Sequence, residues 1–383
     1  MLRAENTLQR IFREIAKSGE ISGRELARAV GLHPSTLAAK VRALERKGLA
    51  EFGDGHQRVG LNANFGYVVG IDLGASHLHF ALADFRGEIL NDATVKIRPE
   101  DGPQKMIRQI KESLRGVAEK VGHGRLRALA IGVPSPVDPV RGVVTYANNL
   151  PGWKDIHLGR ELEKGFRVPI FMENDVNMAA IGEHWRGVAQ GVDNFVFIAL
   201  GTGIGSGIFV DGKLYRGRTG SAGEVFRMNI EWQRWAEDFP DTGYFENYVS
   251  GLGIAAEGRK ALGGTPPGEA GSLREERDAY FVFEAFRQGN PAARAVLEKI
   301  FTMFGVGVAN VVAIVDPDLI VLGGGIVKGA PELMRAILDQ VVHRLQPDPP
   351  PIQLSALEDK AQTYGAIHSA LTLAQEAVLR RLR

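Results

Sequence analysis

The chain has 383 residues, 44% of them apolar and 24% charged, with no cysteine and a formal net charge of +1. Two or three domains are expected at this length, and the missing cysteines exclude disulfides, thiolate catalysis and every zinc site built on sulfur. No apolar run approaches the roughly eighteen residues of a membrane helix, and the start MLRAENTLQRIF carries acids without a continuous apolar stretch, so a cytoplasmic protein with no membrane partner is expected.

The charge is uneven. Residues 1–60 hold eleven Lys and Arg against seven Asp and Glu, a net of +4, which leaves −3 for the remainder. A basic head on a slightly acidic body suits a small nucleic-acid-binding module joined to something else.

Three helices are expected in that head. The first runs through TLQRIFREIAKSG, with Leu8, Ile11, Ile15 and Ala16 at helical spacing. The second, SGRELARAVG, opens on a capping box of Ser22 and Glu25, turns Leu26, Ala27 and Val30 inward and stops at Gly31. The third, HPSTLAAKVRALERKG, has Leu37, Val41 and Leu44 inward and shows Ser35, Thr36, Lys40, Arg42, Arg46 and Lys47 outward. Short hydroxyls near the N-terminus and cations further along are what a major-groove helix displays. The stretch GLAEFGDGHQRVGLN then reads as a strand, a Gly-Asp-Gly turn and a return strand bearing His56, Gln57 and Arg58. The whole is a winged helix-turn-helix, and such modules work as dimers on half-sites about one helical turn apart. The other reading is a three-helix packing or dimerisation module.

From Phe65 onward strands and helices alternate, so the body is α/β. YVVGIDLGASHLHFALAD is a strand, a glycine turn and a second strand; VPIFMENDVNMAAIGEHW is a strand ending on Glu173, Asn174 and Asp175 and passing into a helix. An ionisable group at that location is a common catalytic placement in α/β sheets. NFVFIALGTGIGSGIFVDG repeats the strand, glycine turn, strand pattern, and DPDLIVLGGGIVKG ends a strand on three glycines. Boundaries are expected at 1–62 for the head, 63–175 for a first lobe and 176–383 for a second, with the last helix free to return to the first.

The ordered set GIDLGAS, GVPSPVD, NNLPGW, ENDVN, GTGIGSGI, GSAGE and DPDLIVLGGGI resembles the ROK family of repressors, open reading frames and sugar kinases, over nearly residues 1–370. The resemblance implies two α/β lobes of the actin and hexokinase (ribonuclease H-like) ATPase fold, a homodimer or homotetramer, and a repressor-type head on an inverted-repeat operator. It places Asp72, Gly74, Ser76, Gly201, Thr202, Gly203, Gly323 and Gly324 at a nucleotide site, with Ala75 where kinases commonly have a second glycine. It places Asn149, Asn174, Asp175, Glu224 and Glu246 at a sugar, Asp175 being the general base if the protein is a kinase.

Between the two glutamates the chain departs from the family. Arg227 stands where a zinc-binding and sugar-touching His belongs, and MNIEWQRWAEDFPDTG replaces the cysteine loop, so no zinc is expected. Trp232, Trp235 and Phe239 are expected to pack as an apolar substitute for the metal. Arg227 is expected to pair with Glu224 or to select a ligand bearing a carboxylate or phosphate. His77 and His79 share a strand face without a third ligand, and the tail EAVLRRLR reads as the exposed end of the last helix. The leading expectation is a sugar-responsive transcriptional regulator needing no cofactor. An ATP- and magnesium-dependent sugar kinase of the ROK hexokinase type, with an accessory head or a bifunctional role, is the alternative, and a DNA-binding protein whose cleft docks a partner is a third.

Overall fold

The computed structural model describes residues 6–53, 57–74, 76–121, 125–138, 141–146, 150–239, 242–263 and 279–382. His56, Ala75 and Asn149 lie outside the described residues. Two compact units emerge: Met1–Asp175 together with Gly365–Arg383, and Val176–Tyr364.

The head belongs to the first unit. Helices α1 (Thr7–Ser18), α2 (Gly23–Val30) and α3 (Pro34–Arg46) pack Ile11, Phe12, Ile15, Leu26, Leu37, Val41 and Leu44 into one core. Asn6 and Ser22 each form a capping box, the second being the expected pair with Glu25. Gly31 ends α2 at φ +64, and its amide and that of Leu32 close back on Arg28 and Ala27 carbonyls. That left-handed position favours glycine, which is why the sharp turn into α3 falls there. Strands β1 (Ile21–Ser22), β2 (Ala50–Phe52) and β3 (Arg58–Leu61) form a sheet in the order β1-β3-β2, the wing.

The rest of the first unit is a five-stranded sheet, β11-β7-β4-β5-β6, built from β4 (Tyr67–Leu73), β5 (His77–Asp84), β6 (Ile89–Lys96), β7 (Leu126–Val133) and β11 (Ile170–Asn174). Between β7 and β11, the small strands β8 (Val137–Asp138), β9 (Val143–Tyr146) and β10 (Lys154–Ile156) make a side sheet. Helices α4 (Gly102–Val121) and α5 (Leu158–Phe166) contribute Met106, Ile110, Leu158 and Leu162 to the core around Val69, Ile71, Phe80 and Ile131. The C-terminal helix Ala361–Arg381 begins in the second unit and ends in the first. It comes so close to β4 that a Cβ on Gly70 would stand 2.9 Å from the Ile367 amide nitrogen. Its end differs from expectation, because Val378 and Leu382 are buried, while Glu376, Arg380 and Arg381 are exposed.

The second unit repeats the plan. Its sheet, β14-β13-β12-β15-β16, comprises β12 (Phe195–Leu200), β13 (Ile204–Val210), β14 (Lys213–Leu214), β15 (Leu319–Gly323) and β16 (Ile352–Leu354). In both sheets an antiparallel three-strand meander is extended by two parallel strands, so a parallel array offers its carboxyl ends in each unit. Helix Pro291–Val315 is long and apolar enough to cross a bilayer by length and composition. Here it is the core helix, with Leu297, Phe301, Phe304 and Val308 buried against β12 and β15 side chains.

Candidate functional site

On the head, Ser35, Thr36, Arg42, Arg46, Lys47 and Gln57 are exposed and Lys40 is half-buried. Among the described residues Lys40, Arg42, Arg46 and Lys47 have no side-chain hydrogen bond or ion pair, so four cations on and just after one helix are unneutralised. The helix start was not foreseen in detail. His33 is the N-cap of α3, and its Nδ1 lies 2.9 Å from the Ser35 hydroxyl. Arg58 is exposed but turns inward to the Glu20 carbonyl, bracing the wing.

In the first unit, candidate groups gather at the carboxyl ends of parallel strands. Asp72 on β4 and Glu173 on β11 both stand in register with Gly132 on the intervening β7. Two strand spacings separate them, about 10 Å. Asn174 follows, half-buried, with its amide donating to Glu173 Oε1 at 3.0 Å and its side chain 3.5 Å from the Ser135 carbonyl. Asp175 is half-buried at the first turn of α6 (Asp175–Arg186), where the helix dipole favours a carboxylate. Ser135 in the loop after β7 is 3% exposed and was not singled out from sequence, since nothing local distinguishes it from a turn serine. Gly74 closes the β4–β5 hairpin by donating to the His77 carbonyl at 2.9 Å, and Ser76 is exposed. The His77 ring rests on Gly74, with atoms 2.5 to 2.9 Å from where a Cβ would stand. His79 instead lies 3.2 Å from Asp92.

In the second unit, the glycine turns after β12 and β15 share one sheet edge, since Ala199 is in register with both Gly205 and Gly323. Gly324 has φ +97 and presses on the Leu200 backbone, a position no side chain tolerates. A Cβ on Gly201 or Gly325 would meet nothing within 4 Å, so both turns are open at those positions, whereas one on Gly203 would collide with the Glu246 carboxylate; Thr202 is exposed. Gly74, by contrast, is covered by the His77 ring. Glu246, on α7 (Tyr244–Val249), accepts the Ile204 amide at 3.0 Å and thereby ties that helix to the glycine turn. Glu224 is half-buried; its carbonyl accepts the Arg227 amide at 3.3 Å, and among the described residues no group hydrogen-bonds its carboxylate. Burial raises its pKa, the Arg227 charge opposes the shift and Glu246 adds to it. Arg227 is exposed, stacked 5.0 Å from the Phe226 ring rather than within ion-pair distance of Glu224.

The loop that lacks cysteines is braced differently from expectation. Trp232 and Trp235 are 78% and 79% exposed and pack on nothing. Arg234 does the work instead. Its guanidinium lies 4.3 Å from the Tyr248 ring and 5.7 Å from that of Tyr244, and it grips both oxygens of Glu237. Phe239, partly buried, meets Tyr244 and Tyr248 edge-on at 5.9 and 6.1 Å. A charged group lying over a pair of rings leaves no periodic apolar signal, so sequence reading favoured the tryptophans.

The family model described as ROK family matches residues 68–374, and one described as winged helix-turn-helix DNA-binding matches residues 5–51. The xylose repressor of Caldicellulosiruptor bescii is 26% identical over 93% of this chain and 93% of its own length. The glucokinase of Thermotoga maritima is 29% identical over 73% of this chain and 88% of its own. A solved ROK family transcriptional regulator, described as a homologue of the E. coli MLC protein, superposes with a TM-score of 0.79 at 22% identity, covering 98% and 97% of the two chains, which speaks to fold.

Proposed function

The chain belongs to the ROK family and carries a winged helix-turn-helix head, and from that premise we propose that it is a sugar-responsive transcriptional regulator. One observation carries the reading: a single chain joins the unneutralised cationic face of α3 to a ROK body over residues 68–374, and sugar phosphorylation alone does not call for a DNA-binding head. In this reading the protein binds an inverted-repeat operator as a dimer and represses genes of carbohydrate use. Asn174 and Asp175 are the candidates for sugar hydroxyls in the first unit, and Glu224, Glu246 and Arg227 are those in the second. A carboxylate accepts a hydroxyl hydrogen bond whether or not chemistry follows. Binding by itself does not release DNA; moving a two-state ratio from 1:99 to 99:1 takes about 5.5 kcal/mol of differential affinity. The name of the C. bescii relative makes xylose the first sugar to try.

A second reading, a sugar kinase using ATP and magnesium, is supported by the open Gly201 and Gly325 positions and by the carboxylate of Asp175 at the start of α6, which would serve as its general base. Selection of duplexes from a random library, followed by their release with pentoses, hexoses and amino sugars, tests the first reading. ADP release with the same sugars tests the second. Sequence-selective binding reversed by one sugar without turnover is expected; turnover with no duplex selected would reverse the order of the two.

A further inference from the structure

Arg86 sits in the turn after β5 and reaches into the head. Its Nε donates to the Leu61 carbonyl of β3 at 2.6 Å, one terminal nitrogen to Glu20 at 2.9 Å and the other to Glu51 of β2 at 2.7 Å. The turn is itself set, because Asp84 Oδ1 accepts the amides of Arg86 and Glu88. Beside it Phe85 is fully buried, donates its amide to the Ala63 carbonyl and meets the Phe65 ring at 4.9 Å, tilted by 57°. Space has been kept for the guanidinium, since a Cβ on Gly60 would stand 2.9 Å from it. The linker is held from the other side, where Arg125 and Arg127 donate to the Asn64 and Phe65 carbonyls.

We propose that Arg86 is a positioning residue that fixes the winged head on the first lobe, so that operator affinity and its sugar response both pass through this guanidinium. This rests on the regulator reading. A planar fork with five donors serves a carbonyl and two carboxylates in different directions, which a lysine cannot do. The residue stands two positions past β5, whose first residue directly follows Ser76 of the first glycine turn. β5 is a buried strand, so a shift of that turn reaches the head as a rigid displacement rather than being lost in a flexible tether.

The test compares the full-length protein with Arg86→Met and Arg86→Lys, and with the Glu20→Gln/Glu51→Gln double variant should Arg86→Met fail to fold. Hydrogen exchange of amides 58–66 reads the latch without DNA; operator titrations with and without sugar read its consequence. Expected are exchange faster by about tenfold or more, operator affinity weaker by about tenfold or more as two heads lose their mutual orientation, sugar affinity unchanged, and no rescue by lysine. Unchanged exchange in these variants, or operator affinity and sugar response both intact despite faster exchange, overturns the proposal. If the parent protein binds no operator at all, the regulator reading fails while exchange still decides whether Arg86 holds the head.

Discussion

Arg234→Ala tests whether the loop without cysteines is held by an arginine lying over the Tyr244 and Tyr248 rings. The substitution removes a cation 4.3 Å from the Tyr248 ring, worth about 0.5–1 kcal/mol at a half-exposed site. It also removes a two-pronged pair with Glu237, worth about 0.5–1 kcal/mol once solvent screening is counted. The sum, about 1–2 kcal/mol, belongs to the second unit, and for a body of that size corresponds to a fall of about 2–8 °C in its melting transition. Differential scanning calorimetry resolves this if the two units melt separately. Arg234→Lys, which keeps the charge but loses the fork and the stacking, should lie between. A melting temperature unchanged in Arg234→Ala would refute the brace, and so would a fall on adding a chelator to the parent protein, which would return the role to a metal.

Other consequences are as direct. Gly324→Ala puts a methyl into the Leu200 backbone at a positive φ, and should cost about 3 kcal/mol or more by thermal unfolding; a loss under about 0.5 kcal/mol would show that the turn yields freely. Glu224 has a folded pKa raised by burial, so its charge costs nothing below the unfolded value near 4.5, and the penalty grows as pH rises toward the folded value. Glu224→Gln should therefore raise stability at neutral pH and match the parent in acid, and an unchanged melting temperature at pH 7 would contradict the burial argument. Arg42→Ala and Arg46→Ala should weaken binding to all duplexes alike and lower the salt slope by about one each. Loss of preference at a single base position would instead assign that arginine to base readout.

Local physics carried most of the fold. The capping box at Ser22, the stop at Gly31 and the strand, glycine turn, strand repeats involve residues near in sequence, and the structure has them where spacing puts them. What escaped depends on partners far away in the chain. Gln9 is buried because its side chain donates to the Leu379 carbonyl, and Asn6 reaches Leu382, so the tail that reads as an exposed end lies against the head. Arg86 reads as a turn residue until β2 and β3 are seen beside it. Arg227 looked like a partner for Glu224 by proximity in sequence, yet a three-residue 3-10 turn carries its side chain onto Phe226. The two lobes were legible through their motifs, while the balance of contacts within each needed three dimensions.

The central claim is that one chain reads DNA with its head and a sugar with its body. The measurement that meets it most directly is operator affinity, with and without the releasing sugar, for the parent and for Asp175→Asn. Removing one charged acceptor of a sugar hydroxyl costs about 1.5–3 kcal/mol, so the sugar concentration for half release should rise about tenfold or more, while affinity without sugar stays within about twofold of the parent. Release by the same sugar concentration in both proteins would contradict the account, as would loss of operator binding in a folded Asp175→Asn variant.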